Sequence, residues 1–265
     1  MFWGLAAGKV DTGDLEVDVI AAPLSVLNDR ASRGELEATM ISAAAYPYLR
    51  DRYVLARCGA SFARGRGPVL AAREPMAEGR LARATVAVPD ATSSALVALQ
   101  LSRPGMRTRL LPADKIAQAT KIGLADCALL QDGDAASCRR SGLHCVADLA
   151  VGWAERTGDL PLPLTCLAIR ADVAGDVRLR IEEIVRASIR YGMAHRAEAA
   201  RFAMQRARNG GGMSDANEAA LGVYVSDATL DMDAPDRAAL EDFLRRGSEA
   251  DLVPDALPVQ FVEGA

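Results

Sequence analysis

Along the first two thirds of the chain, short apolar or alternating runs are separated by segments with helical spacing. Runs of this length predict β-strands, whereas apolar residues three and four positions apart predict helices. Strands are predicted at LEVDVIA (15–21), ATMIS (38–42), YVLARCG (53–59), GPVLAARE (67–74), the start of 84–102, TRLLP (108–112), ADCALLQ (125–131), LHCVADLA (143–150) and PLPLTCLAIRAD (161–172). Since helical segments separate most of these runs, the pattern predicts α/β layers with largely parallel sheets.

After residue 174 the pattern is helical. Residues 177–207 keep helical spacing, and Gly192 and His195 mark the expected break between two helices. A turn at GGGM (210–213) precedes two further predicted helices, SDANEAALGVYV and PDRAALEDFLRRG. The last third of the chain is therefore expected to add helices rather than strands.

The order of these elements predicts two lobes. GPVLAARE and PLPLTCLAIRAD each end a block, as expected where the chain crosses to a second lobe and returns. Residues 1–74 plus 166–265 would form an outer α/β lobe, and residues 75–165 an inserted α/β lobe. Such an arrangement leaves a cleft at the hinge, where a small-molecule ligand is expected to bind.

Composition and charge exclude several classes of protein. The net charge of −4 and a pI near 5.4, with basic residues spread along 265 positions, argue against a nucleic-acid partner. No apolar run approaches the roughly 20 residues of a membrane span. The first residues lack the basic region of a signal peptide, so a cytoplasmic location is expected. Five cysteines without a CxxC pair and only two histidines give no metal-ligand spacing, and no metal is expected.

Hydroxyl side chains follow two of the predicted strands. Ser93 and Ser94 lie where the strand TVAVP gives way to a helix, and Ser42 ends the strand ATMIS. The first turn of a helix presents free N–H groups that suit an anion, to which hydroxyls add donors. Helix capping is the more common reason for Ser at this position, although both interpretations stay open.

Few other residues could carry chemistry. Asp132 and Asp134 follow the strand ADCALL, where side chains face the crevice of an α/β sheet, although DGD is also an ordinary turn. His144 and His195 are interpreted as structural or exposed. There is no Walker A motif, GxSxG or HExxH.

Several long segments, in order, resemble one enzyme family. The chain is similar to the 1,4-dihydroxy-6-naphthoate synthases of the futalosine route to menaquinone. The resemblance implies a two-lobe fold of the type 2 periplasmic-binding-protein kind. The segments that carry it are MFWGLAAGKVDTG, SVLNDRASRGELEATMIS, AYPYLRDRYVLARCGASFARGRGPVLAARE, VAVPDATSSA, ERTGDLPLPL, RYGMAHRAEA and YVSDATLDMD.

The resemblance implies a lyase without a cofactor. Its substrate would be cyclic dehypoxanthinyl futalosine, whose spiro-linked, sugar-derived part is opened so that the bicycle aromatises. The family's substrate-holding residues fall on Met40, Ile41 and Ser42 and on the pair Ser93 and Ser94. This chemistry needs a base to remove a proton beside a carbonyl and donors for oxyanions.

The chain departs from the family in two places. Asp132 and Gly133 stand where the family has a His-Glu pair whose His is the proton acceptor. A carboxylate of pKa about 4 is a weaker base than an imidazole of pKa about 6.5. Met1 also falls inside the family's first helix, so the family's first strand is expected to be missing. These departures leave three hypotheses: a lyase with Asp132 as base, an inactive paralogue that binds an aromatic carboxylate, or a solute-binding module.

Overall fold

A computed structural model describes residues 1–131, 135–208 and 225–263. Helices are α1 (Trp3–Ala6), α2 (Leu24–Ser32), α3 (Glu78–Leu81), α4 (Ser94–Ser102), α5 (Ala113–Lys121), α6 (Ala135–Arg140), α7 (Leu149–Thr157), α8 (Gly175–Ala194), α9 (Arg196–Arg208), α10 (Asp227–Leu230) and α11 (Ala234–Glu249), with a 3₁₀ helix at Ala43–Tyr48. Strands are β1 (Ala38–Ser42), β2 (Tyr53–Leu55), β3 (Ser61–Ala63), β4 (Val69–Ala72), β5 (Thr85–Val88), β6 (Arg107–Leu110), β7 (Cys127–Leu130), β8 (His144–Asp148) and β9 (Leu162–Arg170).

The strands form one antiparallel sheet and one sheet of mixed direction. In the first sheet β9 pairs antiparallel with β1 along one edge and with β2 and β3 along the other. The second sheet has the order β6-β5-β7-β4-β8. There β5 is parallel to β6 and β7, while β4 is antiparallel to β7 and β8. The expectation of largely parallel sheets is therefore wrong, because β4 and β9 enter their sheets opposite to the strands they join.

Most predicted elements are present, with one clear exception. The predicted strand 15–21 has no regular secondary structure, because no neighbouring strand pairs with it in the described structure. The strand β3 and the 3₁₀ helix at Ala43–Tyr48 were not predicted, since each is too short for a periodic signal. The helix break is confirmed at His195. The predicted turn at 210–213 and most of the helix from 214 lie outside the described residues.

The sheet pairing differs from the predicted division of the chain. Strand β4 lies before residue 74 yet belongs to the second sheet, and β9 joins the first sheet from Leu162 rather than from 166. The chain therefore passes from the first sheet to the second just before β4, and returns to the first sheet between α7 and β9. The division into two lobes remains a proposal, with these two sheets as its framework.

One apolar core runs between the sheets. Phe243 of α11 is fully buried and meets Trp153 of α7 edge-on, with ring centroids 5.6 Å apart. Helix α11 contacts both β9 and α4, so it packs against elements of both sheets. Within the described ranges, no helix is long and apolar enough to cross a membrane. This shared core holds α4 and β9 in a fixed relation.

Replacing Phe243 with Ala tests this core. We expect Phe243→Ala to lower the free energy of unfolding by about 3–5 kcal/mol, because it leaves a cavity against Trp153. Urea unfolding followed by circular dichroism measures the change. Val151→Ala on the exposed face of α7 is the control, expected within about 0.5 kcal/mol of the parent. Equal losses in both variants would contradict a shared core at Phe243.

Candidate active site

The hydroxyl residues singled out in the sequence lie together, where α4 meets the first sheet. Ser42 ends β1, Ser93 is the N-cap of α4, and Ser94 is its first residue. All three are at most 3 % exposed. Ile41 is fully buried and Met40 half-buried on the same strand. The end of β1 and the N-terminus of α4 therefore both contribute to one buried polar cluster.

Ser94 joins the two halves of the molecule. Its Oγ donates to the carbonyl oxygen of Leu164 on β9 at 2.7 Å and accepts from the N–H of Ala44 at 3.2 Å. A serine hydroxyl has one hydrogen to donate, and Leu164 takes it. Because α4 follows a strand of the second sheet, whereas Leu164 lies in β9 and Ala44 in the 3₁₀ helix after β1, this hydroxyl is a structural link.

The hydroxyl groups of Ser42 and Ser93 each accept a hydrogen bond and keep their own hydrogen available to donate. Ser93 Oγ accepts from the N–H of Leu96 at 3.2 Å, which confirms that it caps α4. Ser42 Oγ accepts from Asn28 Nδ2 at 3.1 Å. Within the described part of the chain, neither hydroxyl hydrogen has an acceptor. The capping role of Ser93 thus leaves its hydroxyl able to donate to an anion as well.

Asn28 of α2, which the sequence analysis missed, connects Ser42 to the second sheet. Its Oδ1 accepts from the N–H of Ser42 at 3.0 Å, and its Nδ2 donates to Asp90 Oδ2 at 2.8 Å. Asp90 lies in the loop between β5 and α4. Asn28 is buried and occupies the apolar stripe formed by Leu24, Leu27 and Ala31. A buried amide in that stripe is the signal that could have identified it.

A second hydroxyl pair was also missed. Ser61 Oγ and Thr165 Oγ1 are 2.6 Å apart, and Thr165 pairs in register with both Ser42 and Ser61. Three strands therefore place hydroxyls side by side at one end of the first sheet. Ser and Thr within strands give no local signal, so only the register reveals this cluster.

Neither histidine is near this cluster. In the second sheet, Leu130 and Asp148 both lie opposite Val69, at one end of the strands. Cys127 and His144 both lie opposite Ala72, at the other end. His144 is therefore about three strand residues, or roughly 10 Å, from the carboxyl end of β7. The interpretation of His144 as exposed is confirmed.

His195 belongs to a separate aromatic group. Its ring stacks on Tyr191 with centroids 4.2 Å apart, and its Nδ1 lies 2.9 Å from the Tyr191 carbonyl oxygen. Trp3 packs against both rings. This geometry confirms a structural role at the end of α8, so a base at the cleft must be another residue.

Asp132 and Asp134 lie outside the described residues. The strand before them, β7, ends at Leu130 and runs parallel to β5, whose carboxyl end leads to Asp90 and Ser93. Carboxyl ends of parallel neighbours open onto the same edge of a sheet. The loop that contains Asp132 therefore starts at the same end of the second sheet as the loop that leads to Asp90 and Ser93.

Buried thiols supply no nucleophile here. Burial raises the pKa of Cys166, on β9 beside the cluster, to about 12 and that of Cys127 on β7 to about 11. Both are therefore protonated near neutral pH, and the thiolate is the reactive form. In the part of the chain described by the structure, no three His, Cys, Asp or Glu residues are placed to hold a metal ion.

A cavity of about 870 Å³ lies apart from this cluster, beside β1 and between α8 and segment 15–22. Of the predicted site residues that the structure describes, Met40 alone lines it. The hydroxyl cluster is a buried polar contact beside α4 and β9, and this cavity is a separate apolar groove.

Comparison with known proteins identifies relatives along nearly the whole chain. A family model described as menaquinone biosynthesis matches residues 1–249. A 1,4-dihydroxy-6-naphthoate synthase from Streptomyces coelicolor is 32 % identical over 96 % of this chain and 90 % of its own. The synthase from Thermus thermophilus is 34 % identical over 75 % of this chain and 72 % of its own.

Solved structures agree in fold. A crystal structure of an Archaeoglobus fulgidus protein has a TM-score of 0.85 at 31 % identity, covering 95 % of this chain and 93 % of its own. The alkanesulfonate-binding protein of Xanthomonas axonopodis pv. citri has a TM-score of 0.62 at 12 % identity, covering 88 % and 82 %. This second likeness concerns the fold alone. The predicted α/β fold of the type 2 periplasmic-binding-protein kind is confirmed, and the residue boundaries of its lobes stay a prediction.

Replacing Ser94 with Ala tests the link between the two halves. We expect Ser94→Ala to lower the free energy of unfolding by about 2–4 kcal/mol, because the buried Ala44 N–H and Leu164 carbonyl each lose a partner. Ser102→Ala is the control, since that hydroxyl bonds only Leu99 within the same helix. Urea unfolding compares the two variants. A loss in Ser94→Ala no larger than in Ser102→Ala would show that the link does not stabilise the fold.

Proposed function

The chain belongs to the menaquinone biosynthesis family, and we propose that it is a 1,4-dihydroxy-6-naphthoate synthase. The reaction proposed is the ring-opening of cyclic dehypoxanthinyl futalosine, with aromatisation of the bicycle. The observation that carries the proposal is the pair of buried hydroxyls, Ser42 and Ser93, that each keep a hydrogen to donate. Both stand at positions that match the family's substrate-holding residues.

These hydroxyls would hold the anionic part of the substrate. Ser93 lies at the N-terminus of α4, a nine-residue helix whose dipole favours negative charge. The Ser94–Ala44 hydrogen bond holds Ser93 and Ser42 on the same side of the contact, since Ser93 adjoins Ser94 and Ser42 lies two residues before Ala44. Two hydroxyl donors, Ser42 from β1 and Ser93 from the N-terminus of α4, suit a carboxylate or a developing oxyanion of the substrate. Met40 and Ile41 would position Ser42 through β1, while the Met40 side chain lines the separate groove.

Asp132 is proposed as the base. The family's His is replaced here, and both histidines of the chain lie elsewhere in the fold. A base is required to remove the proton beside the substrate carbonyl, and the loop after β7 begins at the correct edge of the sheet. The electron pair of the broken C–H bond would pass to the substrate carbonyl oxygen, and the hydroxyls of Ser42 and Ser93 would stabilise the negative charge that forms there. Loss of the sugar-derived group then completes the aromatic bicycle.

Asn28 would act as a positioning residue. Its amide holds Ser42 with one end and Asp90 with the other, so it fixes the first sheet relative to the loop that leads to Ser93. A substrate held by both serines needs this relation to stay constant. We infer that Asn28 sets the separation of the two hydroxyl donors without touching the substrate itself.

The solute-binding and inactive-paralogue hypotheses are not favoured. The likeness to transport proteins is one of fold, at 12–16 % identity, whereas the synthases share about a third of their residues with this chain. Fold alone does not select a function, since function depends on the residues of the site. Ser42, Ser93 and Ser94 retain the hydroxyls that a synthase needs.

Turnover is the direct test. The purified chain is expected to convert cyclic dehypoxanthinyl futalosine to 1,4-dihydroxy-6-naphthoate, detected by mass spectrometry. Absence of product from protein with the circular dichroism of a folded α/β chain would overturn the synthase proposal. Heat-denatured protein controls for spontaneous ring-opening.

Replacing Asp132 with Asn tests the base. We expect Asp132→Asn to lower kcat at least 100-fold, since general-base catalysis contributes about 10²–10⁴-fold, while product affinity stays within a few-fold. Asp134→Asn, two positions along the same loop, is the matched control and should retain turnover. Turnover by Asp132→Asn equal to that of the control would remove Asp132 from the mechanism.

A further inference from the structure

Asp90 places a carboxylate beside the proposed site. It lies in the loop between β5 and α4 and is half-buried. Its Oδ2 accepts a hydrogen bond from Asn28 Nδ2 at 2.8 Å, and the same nitrogen donates to Ser42 Oγ at 3.1 Å. Because both bonds share one nitrogen, Asp90 Oδ2 is within about 6 Å of the Ser42 hydroxyl, a range in which like charges repel. A ligand held by Ser42 is therefore exposed to the charge of Asp90.

The Asp90 carboxylate has one acceptor position left. Its Oδ1 accepts from the N–H of Thr92 at 2.8 Å and from the Thr92 hydroxyl at 2.9 Å. Together with the Asn28 amide, these donors fill three of the roughly four positions that a carboxylate offers. Among the described residues, no second donor reaches Oδ2. A carboxylate only accepts hydrogen bonds, so the group that completes Asp90 must be a donor.

An apolar cavity adjoins this acceptor. Its volume is about 450 Å³, and it opens beyond the carboxyl ends of the parallel strands β5 and β6, where α/β sheets bind their ligands. The lining residues that the structure describes are Pro89, Asp90, Ala91, Leu110, Leu111 and Pro112, of which Asp90 alone carries a charge. Apolar walls with a single acceptor suit an uncharged group that carries a donor.

The kind of donor follows from charge and from the number of hydrogens. Three donors already share the negative charge of Asp90, and one acceptor position remains. A hydroxyl fills that position with its single hydrogen, whereas an ammonium group brings three donors. A carboxylate ligand offers no hydrogen and adds a second negative charge. An uncharged group with hydroxyls, such as a sugar, therefore matches Asp90 best.

We propose that Asp90 determines how the ligand is oriented in the cleft. Its Oδ2 accepts a hydrogen bond from a hydroxyl of an uncharged, sugar-derived group, and its charge keeps a carboxylate away from that side. For the substrate itself the assignment rests on the proposed function, because the sugar-derived part of cyclic dehypoxanthinyl futalosine supplies such hydroxyls. The anionic part is then directed to Ser93 at the N-terminus of α4, where the helix dipole favours negative charge.

Three ligands that share one bicycle test the proposal. They are 2-naphthyl riboside, naphthalene-2-carboxylate and 2-naphthylmethylammonium, each titrated into the full chain by isothermal titration calorimetry. We expect the parent protein to bind the riboside about threefold or more tightly than either charged ligand. Binding of a charged ligand as tight as that of the riboside, or no binding of the riboside, would overturn the proposal.

A matched pair of variants assigns this preference to Asp90. Asp90→Asn removes the charge, so it should weaken riboside binding about three- to tenfold and strengthen carboxylate binding by a similar factor. Asp126→Asn is the control, because Asp126 accepts the N–H of Thr85 at the opposite end of β5, and both affinities should stay within about twofold. Melting temperatures show whether each variant folds, and the parent measurement needs no variant. Shifts of the same sign for both ligands in Asp90→Asn, or equal shifts in the control, would contradict the role of Asp90.

Failure of this inference is distinguishable from failure of the synthase proposal. Turnover of cyclic dehypoxanthinyl futalosine without the opposite shifts in affinity would overturn the role of Asp90 alone. Opposite shifts without turnover would overturn the synthase proposal and would support Asp90 as the residue that selects a hydroxyl-bearing ligand.

Discussion

The backbone pairing of β9 is the constraint on which the rest of the molecule depends. This strand is the antiparallel partner of β1, β2 and β3. Its register sets Thr165 between Ser42 and Ser61, and its Leu164 carbonyl receives the Ser94 hydroxyl from the other half of the chain. Buried backbone groups must be paired, so a shift of one residue along β9 would break this contact and turn its side chains to the other face.

A small set of polar contacts then gives this scaffold its chemistry. The Ser94 hydroxyl donates its hydrogen to the Leu164 carbonyl, and the Asn28 amide joins Ser42 to Asp90 in the loop before α4. The hydroxyl hydrogens of Ser42 and Ser93 have no acceptor among the described residues. One serine of the adjacent pair is thus structural and the other is available to a ligand. The distinction follows from counting hydrogens, because each hydroxyl has one to give. Loss of the structural serine is expected to disturb the site through its geometry rather than through a direct contact.

Local pattern was sufficient for most elements but not for their pairing. The alternation at 38–42 and the apolar run at 161–172 correspond to β1 and β9, and the cap at Ser93 begins α4. The same alternation at 15–21 gave a strand that the structure lacks, since a strand exists only where an edge is available to pair with it. Asn28 was missed because one amide within an apolar stripe resembles an ordinary helix residue until its partners are known. Asp132, on which the chemistry is proposed to depend, remains a prediction from the sequence.

The amino-acid sequence by itself determined the α/β class, the family resemblance and the choice of Ser42, Ser93 and Ser94 as candidate residues, because each depends on residue type and short-range order. Tertiary structure alone decided that the first sheet is antiparallel, that the second is mixed and that β4 belongs to the second. It also decided which hydroxyls stay free and that the apolar groove lies apart from them. These properties arise from contacts between residues far apart in the chain, such as Ser94 with Leu164, whose register is set by the packing of the whole molecule rather than by neighbouring residues.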